Sequence, residues 1–342
     1  MRNATSPVML ADPRAPILGE RAWIITDGKT GMDVQARGVA DALGVAYDMK
    51  HVSPRGLWAI TAPWGPVGPG ERFGKLRSAF APPWPALAIA TGRASIPYLR
   101  ALRRLAGART FTVVLQDPKT GAGTADLIWV AAHDNLRGAN VITTLTAPHS
   151  FSPERLAQLR AAIPADIAAL PGPRVSVILG GKNGVYSFTD DDDDRLAASL
   201  NSLGALGASF MITPSRRTHQ RLNRVVEAAT NNRARILWGG TRTNPYPEFL
   251  AHADALIVTA DSVNMCGEAC ATGKPVYVFT PSGGSAKFTR FHDGLRAAGA
   301  TRPLPDEFTA FETWSYPVID SAAKIAAEIR ARWQPDAANP RT

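Results

Sequence analysis

Residues 253–279 read ADALIVTADSVNMCGEACATGKPVYVF, apolar at both ends, with Asp261, Ser262, Asn264 and Glu268 between. A strand over DALIVT would deliver this polar group to its carboxyl end, and Ser262 is a capping residue for a helix starting at Val263. The free N–H groups of such a helix start can receive an anion. Glu268, on the first turns of the same helix, has the carboxylate needed to accept both hydroxyls of a ribose. Its plainer role is a glutamate that favours a helix N-terminus.

Three other stretches carry related chemistry. LGGKNGVY puts Gly180 and Gly181 at a strand end beside Lys182 and Asn183. The missing side chains would let a phosphate approach the backbone, although a tight turn would have the same sequence. TPSRRTH also follows a strand and offers Ser215, Arg216 and Arg217 as donors to a diphosphate, or as a solvated basic turn. In ITDGKTG, Gly28, Lys29 and Thr30 match the end of a mononucleotide phosphate loop, but Trp23 stands where its first glycine belongs. The turn from Gly28 through Lys29 and Thr30 to Gly31 can still take an anion on backbone N–H groups. Neither this turn nor GGKNG has dinucleotide-fingerprint spacing.

No metal or cofactor is expected. The run TDDDDDR reads as a helix start capped by Thr189, with carboxylates complementing the macrodipole. Cys266 and Cys270 are the only cysteines, and further ligands are lacking nearby, so both read as small buried residues. Candidates for a general base are Asp27, Asp33, Asp117 and His133, with nothing in the sequence to choose among them.

The elements that must position these residues alternate strand and helix from end to end. AWIIT, ALAIAT, TFTVVLQ, LIWVAA and NVITTL read as strands of one series, and RVSVILGG, SFMITP, RILWGG, DALIVTA and PVYVF as a second. Amphipathic stretches such as MDVQARGVADALG, SIPYLRALRRLAG and HQRLNRVVEAAT lie between them. This predicts an α/β protein of two doubly wound Rossmann-like domains facing across a cleft, with ligands beyond the carboxyl ends of the strands. The expected divisions are a flexible N-terminus over 1–20, a first domain over 21–150, a Pro-punctuated linker over 151–172, a second domain over 173–320, and a terminal helix and tail over 321–342.

The chain has 342 residues, 45% hydrophobic and 20% charged, with a formal charge of +9. No apolar run is long enough to span a bilayer and the N-terminus lacks a signal-type apolar core, so a cytoplasmic protein is expected. Between residues 51 and 110 stand nine basic residues and one acidic residue, Glu71, interleaved with Trp58, Trp64, Phe73, Phe80 and Trp84. That mixture suits an anionic membrane surface or an anionic acceptor, unless the aromatics belong to the core. Nucleic acid is not expected as a partner, because no recognition motif accompanies the charge.

Taken together, DGKTGMDVQARGVADALG, ATGR, VVLQDP, ILGGKNGVY, TPSRRT and the block NPYPEFLAHADALIVTADSVNMCGEACATGKPVYV resemble the elongated-mitochondria fission family. Its bacterial members are described as glycosyltransferases or nucleoside-diphosphate-sugar epimerases. The last block also resembles the donor site of GT-B enzymes. The resemblance implies that the second domain binds a nucleotide diphosphate-sugar, with Glu268 on the ribose and Ser262, Val263 and Asn264 at the diphosphate. Gly180 to Asn183 would close over the phosphates with Arg216 and Arg217, Asp261 and Ser215 would lie at the same strand ends, and Trp238 to Gly240 would pass near the base. An acceptor, anionic or lipid-linked, would bind the first domain at the inner face of a membrane. Related bacterial chains often carry His after the glycine of the first loop, where this chain has Met32. Three functions follow from the resemblance: metal-independent glycosyl transfer in cell-envelope synthesis, a non-catalytic membrane scaffold, and nucleotide-sugar epimerisation.

Overall fold

The computed structural model describes residues 20–241 and 243–333. Apart from Glu20, the stretch expected to be a flexible N-terminus lies outside the described residues, as does the tail after Trp333.

The first sheet contains β1 (Arg21–Thr26), β2 (Ala46–His51), β3 (Leu87–Thr91), β4 (Phe111–Leu115), β5 (Leu127–Ala131) and β6 (Val141–Thr144). Their order is β2-β1-β3-β4-β5-β6, and the strands pair in parallel from β2 through β5. Interior strands β3 and β5 are buried at every position, which is why LAIAT and LIWVA run apolar without alternation. Edge strand β2, AYDMKH, has no buried residue and is correspondingly polar.

The second sheet contains β7 (Arg174–Leu179), β8 (Ser209–Pro214), β9 (Arg235–Leu237), β10 (Ala255–Thr259), β11 (Val276–Phe279) and β12 (Thr301–Pro303). Their order is β12-β11-β10-β7-β8-β9, parallel throughout. The chain reverses its direction of sheet growth between β7 and β10, and in the first sheet between β1 and β3. In such sheets, crevices open at the carboxyl ends of the strands where this reversal occurs.

The structure divides the chain differently from the expected boundaries. One unit runs to Val130, takes in Leu136–Thr143 and resumes at Ala322; the other holds Ala131–Asn135 and Thr144–Ser321. The stretch expected as a linker is folded into the second unit as helices Pro153–Ala161 and Ala165–Ala168. Leu156, Ile167 and Leu170 enter that unit's core, and the Arg160 guanidinium donates to the carbonyls of Ala251 and Thr272 at 3.1 and 2.8 Å. Prolines punctuate this segment, but its apolar residues decide where it packs. The helix Ser321–Arg332 joins the first unit from Ala322 onward, where Arg330 Nη2 donates to the Leu43 carbonyl at 2.9 Å.

The aromatics of the basic stretch split into two groups. Phe73 and Phe80 stack at 4.9 Å, and Phe80 packs against Trp23 and Tyr98 at 5.9 and 5.2 Å in the core of the first unit, with Trp84 beside them. Trp58 and Trp64 are exposed. Among the described residues no helix is long and apolar enough to cross a membrane.

Candidate functional site

In the second unit the carboxyl ends of β7, β8 and β10 meet around one carboxylate. Asp261, two residues past β10, has a fully buried side chain. It accepts from Thr259 Oγ1 at 2.6 Å, from the Gly181 N–H at 3.1 Å and from Arg217 Nη2 at 2.8 Å. Thr259 Oγ1 in turn accepts the Gly180 N–H at 2.7 Å. A buried carboxylate with three charge-assisted donors is well compensated for its desolvation.

This arrangement accounts for both glycines without a ligand. A Cβ at Gly180 would overlap the Asp261 carboxylate, and one at Gly181 would overlap the Arg217 carbonyl. Because the N–H groups of Gly180 and Gly181 are bound internally, they are not the donors expected to face a phosphate. The loops are tied further: Thr218 Oγ1 donates to the Gly180 carbonyl at 2.5 Å and accepts the Ser215 N–H at 2.8 Å. Asn183 Oδ1 accepts the N–H groups of Val185 and Tyr186 at 2.7 and 2.8 Å, while its Nδ2 donates to the Asp261 carbonyl at 3.2 Å. Asn183 thus shapes the loop.

The cations beside this hub differ in their commitments. Arg217 is paired with Asp261. Lys182 and Arg216, next to it in the same two loops, are exposed and have no hydrogen-bond or ion-pair partner among the described residues. Ser262 caps the helix Val263–Cys270, its hydroxyl accepting the Met265 N–H at 3.4 Å. Val263 and Asn264 stand in the first turn of that helix.

Glu268 lies on the second turn of that helix and is buried. Its Oε2 accepts from Tyr246 Oη at 2.5 Å. Burial pushes its carboxyl up to about 7 despite the tyrosine's opposing hydrogen bond, and pushes the Tyr246 phenol well above its ordinary value. Tyr246 follows Pro245, which with Ile236, Trp238, Thr243 and Asn244 lines a cleft of about 600 Å³ beyond β9. Trp238, which the resemblance would put near a base, lines this cavity. Thr189 and Asp192 form a reciprocal cap, and Arg221 Nη1 pairs with Asp193 at 2.9 Å, so the acidic run is a helix start. Cys266 and Cys270 are buried and unbonded to each other.

The proposed base candidates are dispersed. Asp27 binds Lys29 Nζ at 2.5 Å. Asp117 pairs with Lys119 at 2.7 Å; burial would raise its carboxyl, but the Lys119 bonds outweigh this and hold it below the ordinary value. His133 belongs to the second unit, packs edge-on against Phe291 at 5.7 Å and is held below the usual imidazole value by burial. Asp33 accepts from Thr26 Oγ1 at 2.8 Å and lies 3.3 Å from His51 Nε2. Sequence reasoning missed His51 because it ends a polar edge strand that showed no apolar pattern. Gly28 through Gly31 form the turn into the helix Thr30–Leu43, with the Lys29 N–H directed to Asp27 at 3.4 Å. Met32 Sδ accepts from Thr91 Oγ1 and Gln116 Nε2, both at 3.2 Å.

Two Rossmann-like units with polar strand ends at their reversal points define an α/β protein of the kind that holds ligands beyond its strands. The chain belongs to the mitochondrial fission ELM1 family, whose model matches residues 30–333. It is 31% identical over 270 residues to a protein of Arabidopsis thaliana named mitochondrial fission protein ELM1, covering 72% of this chain and 63% of that one. It is 34% identical over 160 residues to the uncharacterized protein RP120 of Rickettsia prowazekii, covering 45% of each. The chain thus spans about three fifths and under half of the length of these relatives. Its fold is shared with the UDP-GlcNAc 2-epimerase of Methanocaldococcus jannaschii at a TM-score of 0.51 and 10% identity, over 91% of this chain and 98% of that one.

Proposed function

We propose that the second unit binds a nucleotide diphosphate-sugar at the ends of β7, β8 and β10, and that the protein transfers the sugar to an anionic or lipid-linked acceptor without a metal ion. The observation that carries this reading is the pairing of the cations. Arg217 is committed to Asp261, whereas Lys182 and Arg216, in the same two loops, stand unpaired among the described residues. Two free cations beside a capped helix start suit a diphosphate.

In this reading an acceptor hydroxyl attacks the anomeric carbon, the bond from that carbon to the diphosphate breaks, and its electron pair leaves on the diphosphate oxygen. Lys182, Arg216 and the helix start at Val263 take up the developing charge. Each such preorganised donor lowers a barrier by about 3 kcal/mol. A general base must take the acceptor's proton, and within the first unit the Asp33–His51 pair, 3.3 Å apart, has the groups for it. Glu268, held by Tyr246, presents its other oxygen to a ribose hydroxyl, and Trp238, which lines the cleft, lies toward the base. Such a protein would work in the cytoplasm at the inner face of a membrane.

One residue favours a non-catalytic reading: Met32 puts a thioether, which takes no proton near neutral pH, where related chains often have His. Product analysis separates the readings. Incubation with nucleotide-sugars should give transfer, or slow hydrolysis with release of the nucleoside diphosphate. An epimeric nucleotide-sugar formed without acceptor would replace the transferase by the epimerase. No turnover of any donor that binds would favour the scaffold.

A further inference from the structure

The first unit exposes an apolar surface inside its basic stretch. Helix Leu57–Thr61, LWAIT, has no buried residue. Leu57 is 65% exposed, Ile60 72%, Trp64 62% and Leu76 80%. Isolated exposed apolar residues are ordinary, but Leu57 and Ile60, one turn apart on a short helix, with Trp64 three residues beyond its end, form a patch.

Specific bonds fix the patch in place. Arg93 donates to the carbonyls of Ile60 and Ala62, and Arg100 Nη1 donates to those of Pro63 and Trp64 at 3.2 and 2.7 Å. Leu105, also exposed, lies close against Gly74, two residues before Leu76. Leu76 is flanked by Lys75 and Arg77, both exposed.

Arg100 also lines a cavity of about 340 Å³ together with Arg103, Arg104, Thr120, Gly123 and Thr124. Arg103 is committed to Asp126 at 2.8 Å and to the Gly123 carbonyl at 2.5 Å. Arg104 is exposed and has no hydrogen-bond or ion-pair partner among the described residues. The threonine hydroxyls are committed, Thr124 to the Gly121 carbonyl and Thr120 to Thr124, both at 2.7 Å, so the pocket offers a phosphate monoester or diester its guanidinium groups, chiefly Arg104, and no acidic side chain lines it.

We propose that this face docks on an anionic bilayer, with Leu57, Ile60, Trp64 and Leu76 entering the interfacial region and the Arg100–Arg103–Arg104 cavity receiving a lipid phosphate. The bilayer is the occupant because the surface joins apolar side chains to a strong excess of positive charge, nine basic residues to one acidic between 51 and 110. The inference deepens the membrane-face part of the function proposed above and rests on it, but needs no nucleotide-sugar chemistry.

The test is sedimentation of the full chain with vesicles of neutral phosphatidylcholine alone or mixed with an anionic phospholipid. Binding to the anionic vesicles only is expected. Arg104→Glu should weaken it roughly tenfold or more through the charge removed and reversed. Ile60→Ser with Trp64→Ser should weaken it at unchanged thermal stability, since both side chains are exposed. Excess inorganic phosphate should compete only weakly, because it supplies no apolar anchor. Equal binding by wild type and variants, binding abolished by inorganic phosphate alone, or no binding at all would overturn the proposal. So would a dimer in solution that the Ile60 and Trp64 substitutions dissociate, which would give the face to a second copy of the chain. Donor turnover measured on the same preparations keeps a failed docking surface separate from a failed transferase.

Discussion

The Asp261 carboxylate occupies the space that a Cβ at Gly180 would take. The two residues stand just past the carboxyl ends of β10 and β7, the neighbours between which the second sheet reverses its growth. The first sheet repeats the relation more loosely at its own reversal, where a Cβ at Gly92, after β3, would lie 3.2 Å from the Asp27 carboxylate, after β1. Each unit therefore carries a glycine against a carboxylate where a ligand crevice is expected.

Gly180→Ala tests this packing. The new methyl must displace a carboxylate that Thr259, Gly181 and Arg217 all hold. We expect a loss of about 1–3 kcal/mol, typical of overpacking, in urea denaturation. A fully stable alanine variant would mean that the hub relaxes freely.

Glu268 should make stability depend on pH. Its folded value, about 7, lies above its ordinary 4.5, so burial favours the protonated form. That contribution is complete below about pH 4.5 and is lost as pH rises through 7. Relative to Glu268→Gln, the wild type should lose on the order of 3 kcal/mol across this window. Parallel curves for the two proteins would show that the carboxyl is not so perturbed.

The Asp33–His51 pair gives a catalytic prediction. His51→Asn should lower kcat by roughly 10²–10⁴ if the imidazole is the base. Thermal stability should hardly change, because the side chain is 55% exposed. Asp33→Asn should lower kcat less, since it removes the carboxylate 3.3 Å from the ring that orients it. Unchanged turnover in His51→Asn would remove His51 from the mechanism.

How far the sequence reached follows burial. Interior strands such as β5 and β10 announce themselves as unbroken apolar runs because both of their faces are covered. β2 and β12 are sheet edges, polar or short, and were not anticipated; His51 was lost with β2. The helix Ala286–Ala297 was also passed over, although Phe288, Phe291 and Leu295 have helical spacing behind the Ser285 cap, because Gly283 and Gly284 before it read as loop. The cluster at Asp261, Ser262 and Glu268 stood out locally. Its meaning did not, since Gly180 and Gly181 are required by residues far along the chain, Asp261 and Arg217, and Glu268 faces Tyr246. Arg216 and Arg217 look equivalent in sequence, and only the folded contacts separate the paired from the free cation.

The central claim is that the second unit binds a nucleotide diphosphate group through Lys182 and Arg216. The most direct measurement is the melting temperature of wild type and of the Lys182→Ala/Arg216→Ala variant against a panel of nucleoside diphosphates and nucleotide-sugars, with and without Mg²⁺. At a hundred times its dissociation constant a ligand adds about 2.7 kcal/mol, a clear upward shift. The account predicts that shift for at least one nucleotide, without dependence on Mg²⁺, and its loss in the variant at an unchanged baseline. No shift with any nucleotide, or the same shift in the variant, would contradict it.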